Sequence, residues 1–142
     1  LVRELSGQPT MKAVSVAVDL EALRARIAEY GDAAYLVTVS DDQQPHVVSV
    51  RVRVDGEHLA MDVGRGTRAN LTRRPTLTLL WHPVSGGDYS LIVDGTVATT
   101  TGATTGGATT GSGIAVLPDS AVLHRVAGAA GQGPTCRPVT EG

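Results

Sequence analysis

Two arginines three residues apart, Arg65 and Arg68, stand in the stretch GRGTRANL over 64–71, interleaved with Gly64, Gly66 and Thr67. That set can bind an anion. The N–H groups of a helix's first turn have no partner inside the helix, the positive end of the dipole lies there, and guanidinium groups add charge-assisted hydrogen bonds. Glycines let a ligand approach the backbone closely. Thr67 has the side chain of an N-cap and Pro75 ends a helix, so the spacing predicts a short helix over 68–74 capped by Thr67. Arg68 in its first turn opposes the dipole, which a bound phosphate would offset. The same residues also read as a strand-turn-helix-strand corner that happens to be basic. Arg51 and Arg53 lie on one face of the strand whose hairpin partner leads into Gly64, which lets that strand present one guanidinium to the same anion.

Other chemistry has less to stand on. The four histidines, His46, His58, His82 and His124, include no pair at the close helical spacing of a zinc motif. The single cysteine, Cys136, falls in a tail rich in Gly and Pro, so no metal site is expected. GRGTRANL lacks the Gly-Lys-Ser/Thr ending of a phosphate-binding P-loop, and no nucleophile elbow or dinucleotide fingerprint follows a predicted strand. A formal charge of −2 gives no general attraction to nucleic acid. No signal peptide or apolar run of membrane-spanning length is seen, and the expectation is a soluble, cytoplasmic protein.

The elements that must hold these residues follow from composition and periodicity. With no Phe, three Tyr and one Trp in 142 residues, the core has to be aliphatic, and abundant valine favours strands. Leu20, Leu23 and Ile27 have helical spacing between Asp19, a good N-cap, and Gly31, which predicts one amphipathic helix over 20–30. Strands are predicted over 33–40, 46–54, 57–63, 76–82, 89–97 and 113–118, with a tight hairpin at Asp55-Gly56. In 46–54 the valines Val48, Val50, Val52 and Val54 point one way, while Val47, Ser49, Arg51 and Arg53 point the other. Six strands and little helix suggest a mainly β, six-stranded antiparallel barrel with one N-terminal helix and a short helix between strands. Residues 1–18 read as an N-terminal segment, 19–126 as the barrel domain, and 127–142 as a flexible tail. The tract over 98–113, made only of Ala, Thr, Gly and Ser, reads as a slack connection.

The order of a YLVTVSDDQQPH hairpin, a charged second strand and a TRANLTRRP corner resembles the split-barrel flavin-binding proteins related to pyridoxamine 5′-phosphate oxidase, including the branch that uses a deazaflavin coenzyme. The resemblance spans about 19–126. It implies a homodimer with FMN, or alternatively 8-hydroxy-5-deazaflavin coenzyme, between subunits. Carried over by position, Thr67 and Arg68 match the phosphate contacts at the helix start, with Arg65 beside them. Ser49, Val50 and Arg51 match the strand bordering the ring, with Arg51 a further basic contact. Asn70 and Leu71 match the corner at the cofactor site, Leu71 as packing and Asn70 as the residue that fixes the loop by hydrogen bonding. Trp81 matches an aromatic at the cofactor edge, although a Trp ending a strand also reads as core. The resemblance does not extend to the C-terminal portion with which the oxidase holds pyridoxal phosphate, so pyridoxamine oxidation is not the expectation. The implied activity is therefore hydride transfer from an FMN-type cofactor to a small conjugated acceptor. The alternatives are a deazaflavin-dependent reductase, in which Arg65, Arg73 and Arg74 meet a longer acidic tail, and a non-catalytic flavin- or haem-binding protein using His82 or His124.

Overall fold

The computed structural model describes residues 13–100 and 113–127. Eight strands and two helices occur among them: β1 (Ser15–Val18), α1 (Leu20–Tyr30), β2 (Ala33–Val39), β3 (Pro45–Arg51), β4 (Arg53–Asp55), β5 (His58–Asp62), α2 (Arg65–Arg73), β6 (Thr76–Trp81), β7 (Ser90–Thr100) and β8 (Gly113–His124). They form a single antiparallel sheet in the order β3-β2-β6-β7-β8-β5-β4, with β1 added along the second half of β8. The two ends of that path, β3 and β4, are halves of one bent stretch divided at Val52, so the sheet curls back on itself.

The count of eight corrects the expected six. The alternating valines of 46–54 give no hint of the break at Val52, whose side chain is buried and whose N–H bonds the Asp32 carbonyl instead of a ladder partner. The segment SVAV over Ser15–Val18 is mostly exposed and too short to announce itself, and it forms only because β8 runs on to His124 and offers an edge. The bend replaces one long strand by two, and β1 is the addition.

Alternation puts one row of each strand inside. Val48, Leu36, Leu79, Val93, Ala121 and Val18 lie on successive paired strands and line up across the curl. Leu36, Leu79, Leu91, Val93, Val116 and Met61 are fully buried, as an aliphatic composition requires. A register shift lies between Asp94 and Gly95, and the chain approaches itself so closely that a Cβ on Gly95 would stand 2.6 Å from a Val116 methyl. The hairpin at β4–β5 turns through Gly56 at φ +64°, a conformation that glycine adopts without strain.

α1 packs on this interior with Leu23 and Ile27. Its end is fixed at Gly31, φ +96°, where the Gly31 N–H bonds the Ile27 carbonyl and the Gly31 carbonyl accepts from Trp81 Nε1 at 2.9 Å. Ala98–Thr100 belong to β7 and Gly113 to β8; the rest of the tract expected to be slack, the N-terminal segment before Ala13 and the tail from residue 128 lie outside the described residues. No helix among the described residues is long and apolar enough to cross a membrane.

Candidate functional site

The basic corner folds as a helix that begins earlier than its sequence suggests. Gly64, in extended conformation, occupies the cap position and α2 runs over Arg65–Arg73, so Thr67 is its third residue and not its cap. The reason is burial. Thr67 is 2% exposed and shares the barrel-facing side with Leu71, four residues on, a spacing that recruits the preceding turn into the helix. No side chain caps the start, and the first intrahelical bond joins the Arg68 N–H to the Gly64 carbonyl at 3.0 Å. The N–H groups of Arg65, Gly66 and Thr67 thus have no carbonyl partner within the helix. The first turn contains no acidic residue, while Arg65 is exposed and Arg68 half-buried. A phosphate fits this donor set: three backbone N–H groups, the dipole's positive end and two guanidinium groups.

Three polar tethers hold α2. Arg68 Nη2 donates to the Gly113 carbonyl at the start of β8, at 3.3 Å. Asn70 Nδ2 donates to Thr38 Oγ1 on β2 at 3.1 Å. Arg73 and Arg74 both reach Asp41 in the β2–β3 turn, at 3.1 and 3.0 Å. Arg73 and Arg74 therefore belong to the end of the helix away from the Arg65–Arg68 turn, each paired with Asp41 at the surface.

On β3, Val50 is buried in the core while Ser49 and Arg51 are exposed on the outer face. Arg51 Nη1 lies 3.1 Å from both carboxylate oxygens of Asp32. Arg51 pairs in register with Ala33, at the end of β2 opposite Thr38. The structure thus gathers Arg65, Thr67, Arg68 and Asn70 on one element and Ser49, Val50 and Arg51 on another. Trp81 is 1% exposed and its indole N–H is bonded to Gly31, so the core reading of this residue describes it. His82 Nδ1 lies 3.0 Å from the Pro83 carbonyl, and His124 Nδ1 lies 3.3 Å from Ser15 Oγ. Among the described residues no group of three or more His, Cys, Asp or Glu could hold a metal ion.

Sequence reasoning missed Thr38, Asp41 and Asp32, the partners of the very residues it singled out. Each is separated from its partner by 19 to 33 positions. Only the strand register brings them together, although Asp41 stands in a turn marked by its own composition.

The outer face of β3-β2-β6 has an apolar patch. Tyr35, Val39 and Val47 are 44%, 37% and 57% exposed, and Val37 and Leu80 lie half-buried among them. Beside the Arg51–Asp32 pair, a cleft of about 480 Å³ runs between α1 and the bent strand, lined by Ile27, Ala28, Asp32, Val52 and Val54 among others.

Comparison with known proteins adds to this geometry. Uncharacterized proteins of Mycobacterium bovis and Mycobacterium tuberculosis are each 40% identical to the chain over 120 residues, 78% of this chain and 82% of theirs. No protein-family model matches. Among solved structures, one titled F420 reductase superposes with a TM-score of 0.53 at 20% identity, covering 63% of this chain and 88% of that one. A putative pyridoxamine 5′-phosphate oxidase of Listeria innocua gives 0.58 at 19% identity, covering 72% and 96%. The haem storage protein HutZ of Vibrio cholerae gives 0.57 at 11% identity, covering 76% and 96%. These structural likenesses concern the fold.

Proposed function

The chain belongs to one family with the two mycobacterial proteins and carries the split-barrel fold of the pyridoxamine 5′-phosphate oxidase-like proteins, and on that premise we propose that it is an FMN-binding oxidoreductase acting on a small conjugated acceptor. The observation that carries the reading is the first turn of α2, which holds Arg65 and Arg68 at the positive end of the helix dipole and contains no acidic residue of its own. Arg65, Arg68 and the first-turn N–H groups hold the phosphate. Bound there, FMN supplies the hydride chemistry. The chain's own part is to fix the phosphate, present the β3 edge around Ser49–Arg51, and keep water from the reacting face. That division of labour suits a site without an acid-base dyad.

FMN is taken before the deazaflavin because Arg65 and Arg68 stand at the first turn of α2 while Arg73 and Arg74 lie at its far end, paired with Asp41. A deazaflavin-dependent reductase is the second reading, favoured by the likeness to the F420 reductase structure. The protein works as a homodimer. Two observations support this: the apolar patch of Tyr35, Val37, Val39, Val47 and Leu80 is uncovered in one chain, and Arg51 stands on that same outer face. A second copy packed there places a Ser49–Arg51 edge within an interface groove.

The deciding experiment is the absorbance spectrum of the purified protein followed by titration with FMN and with the deazaflavin. Sub-micromolar binding of FMN is expected, and tighter binding of the deazaflavin makes the second reading the right one. No binding of either removes the oxidoreductase reading. Sedimentation should show a dimer, and a concentration-independent monomer would count against the shared groove.

A further inference from the structure

We infer that Asn70 is a positioning residue that acts through Thr38 and does not touch the ligand, an inference that rests on the anion-binding reading of α2. At about 100° per residue, Asn70 lies roughly 200° around the helix from Arg68 and roughly 140° from Arg65. The two arginines are only about 60° apart and share one face. Asn70 instead lies on the side of Thr67 and Leu71, the two buried residues of the helix. Its amide is turned into the barrel, where Nδ2 donates to Thr38 Oγ1 at 3.1 Å.

Thr38 gives that bond its weight. It is 1% exposed, and it and Thr67 are the buried polar residues among those described. A hydroxyl so far from water needs a protein partner, and Asn70 provides one. The strand carrying Thr38 is a central one, paired to β3 on one side and β6 on the other, so it is a rigid reference. The bond therefore sets the rotation of α2 about its own axis. Rotation decides where the arginine face and the first-turn N–H groups aim, and anion contacts depend on direction as well as distance.

The test is a cycle of N70A, T38V and the double variant, with affinity for FMN and for inorganic phosphate measured by titration, thermal melting as the check on folding, and Arg68→Ala as the control. Both single variants should weaken FMN about fivefold, the scale of one hydrogen bond's net contribution, and the double variant should be no worse than either. Amide hydrogen exchange should show faster exchange in α2 in both single variants. Loss of affinity in N70A with T38V unchanged would mean that Asn70 contacts the ligand, overturning the inference. Unchanged affinity in both overturns it too, as does a double variant in which the two losses multiply. If N70A does not fold, T38V, which keeps the side chain's shape, decides alone. Failure of the unsubstituted protein to bind FMN or phosphate, or an Arg68→Ala affinity equal to its own, would remove the functional reading itself and this inference with it.

Discussion

The two helices of this small barrel are built on opposite principles. α1 is arranged for stability: Glu21 in its first turn complements the dipole, Leu23 and Ile27 face the core, and its end is fixed by glycine at Gly31 and by the Trp81 indole. α2 departs from the first of these rules at its start, with arginines where acids belong; neither helix has a side-chain cap bond at its start, Asp19 of α1 included. Beside the buried Leu71, α2 is held to the barrel by polar tethers to Gly113, Thr38 and Asp41. A helix that is unfavourable in isolation at one end, and tied down at three points, is what the proposed anion site would require of the protein. The comparison separates residues whose loss should unfold the chain from residues whose loss should only release a ligand.

The largest effect should therefore come at the α1 end. Trp81→Ala empties a fully buried site and leaves the Gly31 carbonyl without its donor, and should cost about 3–5 kcal/mol in urea unfolding. Any FMN affinity of the folded fraction should stay close to that of the unsubstituted protein. A large fall in affinity with little loss of stability would put Trp81 at the ligand and break the contrast between the two ends.

At the α2 end the order of effects should reverse. Arg68→Ala is expected to weaken FMN by about 1.5–3 kcal/mol, the range for losing a hydrogen bond to a charged group. The unfolding midpoint should move much less than for Trp81→Ala. Arg65→Glu is the sharper probe, because it places an acid at the dipole's positive end. It should stabilise the fold by about 0.3–1 kcal/mol while weakening phosphate and FMN binding. Stability and affinity moving in the same direction would show that the first turn is not an anion site.

How much of this was legible depended on whether a feature was local. The alternation of Val48, Val50, Val52 and Val54, the hairpin at Gly56 and the boundaries of α1 were all set within a few residues, and the structure has them. The break at Val52, the strand β1 and the early start of α2 were not, because each is imposed by a partner distant in sequence: Asp32, the far half of β8, and the interior that buries Thr67. At the candidate site the residue types were visible and the pairings were not. Nothing in RRP announces that both arginines are spoken for by Asp41, and nothing in TLTLLWH distinguishes a ligand-facing Trp from one bonded to a backbone carbonyl behind it.

The smallest effect tests the α1 end again, by pH. Tyr30 closes that helix, and its hydroxyl donates to the Tyr89 carbonyl at 2.8 Å. Burial raises its pKa above the usual 10.0, with Glu29 adding to the rise and Arg26 opposing it. A phenol whose folded pKa exceeds its unfolded one binds its proton more tightly in the native state. Its contribution is then complete below the unfolded value and is lost as pH rises from there through the folded value. Stability should accordingly decline above about pH 10, and Tyr30→Phe, which has no proton to lose, should flatten part of that decline. Its melting temperature at neutral pH should fall slightly, since the hydrogen bond to Tyr89 goes with the hydroxyl. FMN affinity at neutral pH should not respond, because Tyr30 belongs to the helix that holds the barrel together and not to α2, where the phosphate is proposed to bind. An alkaline limb unchanged in Tyr30→Phe would assign the decline to other groups and remove Tyr30 from the α1 anchor.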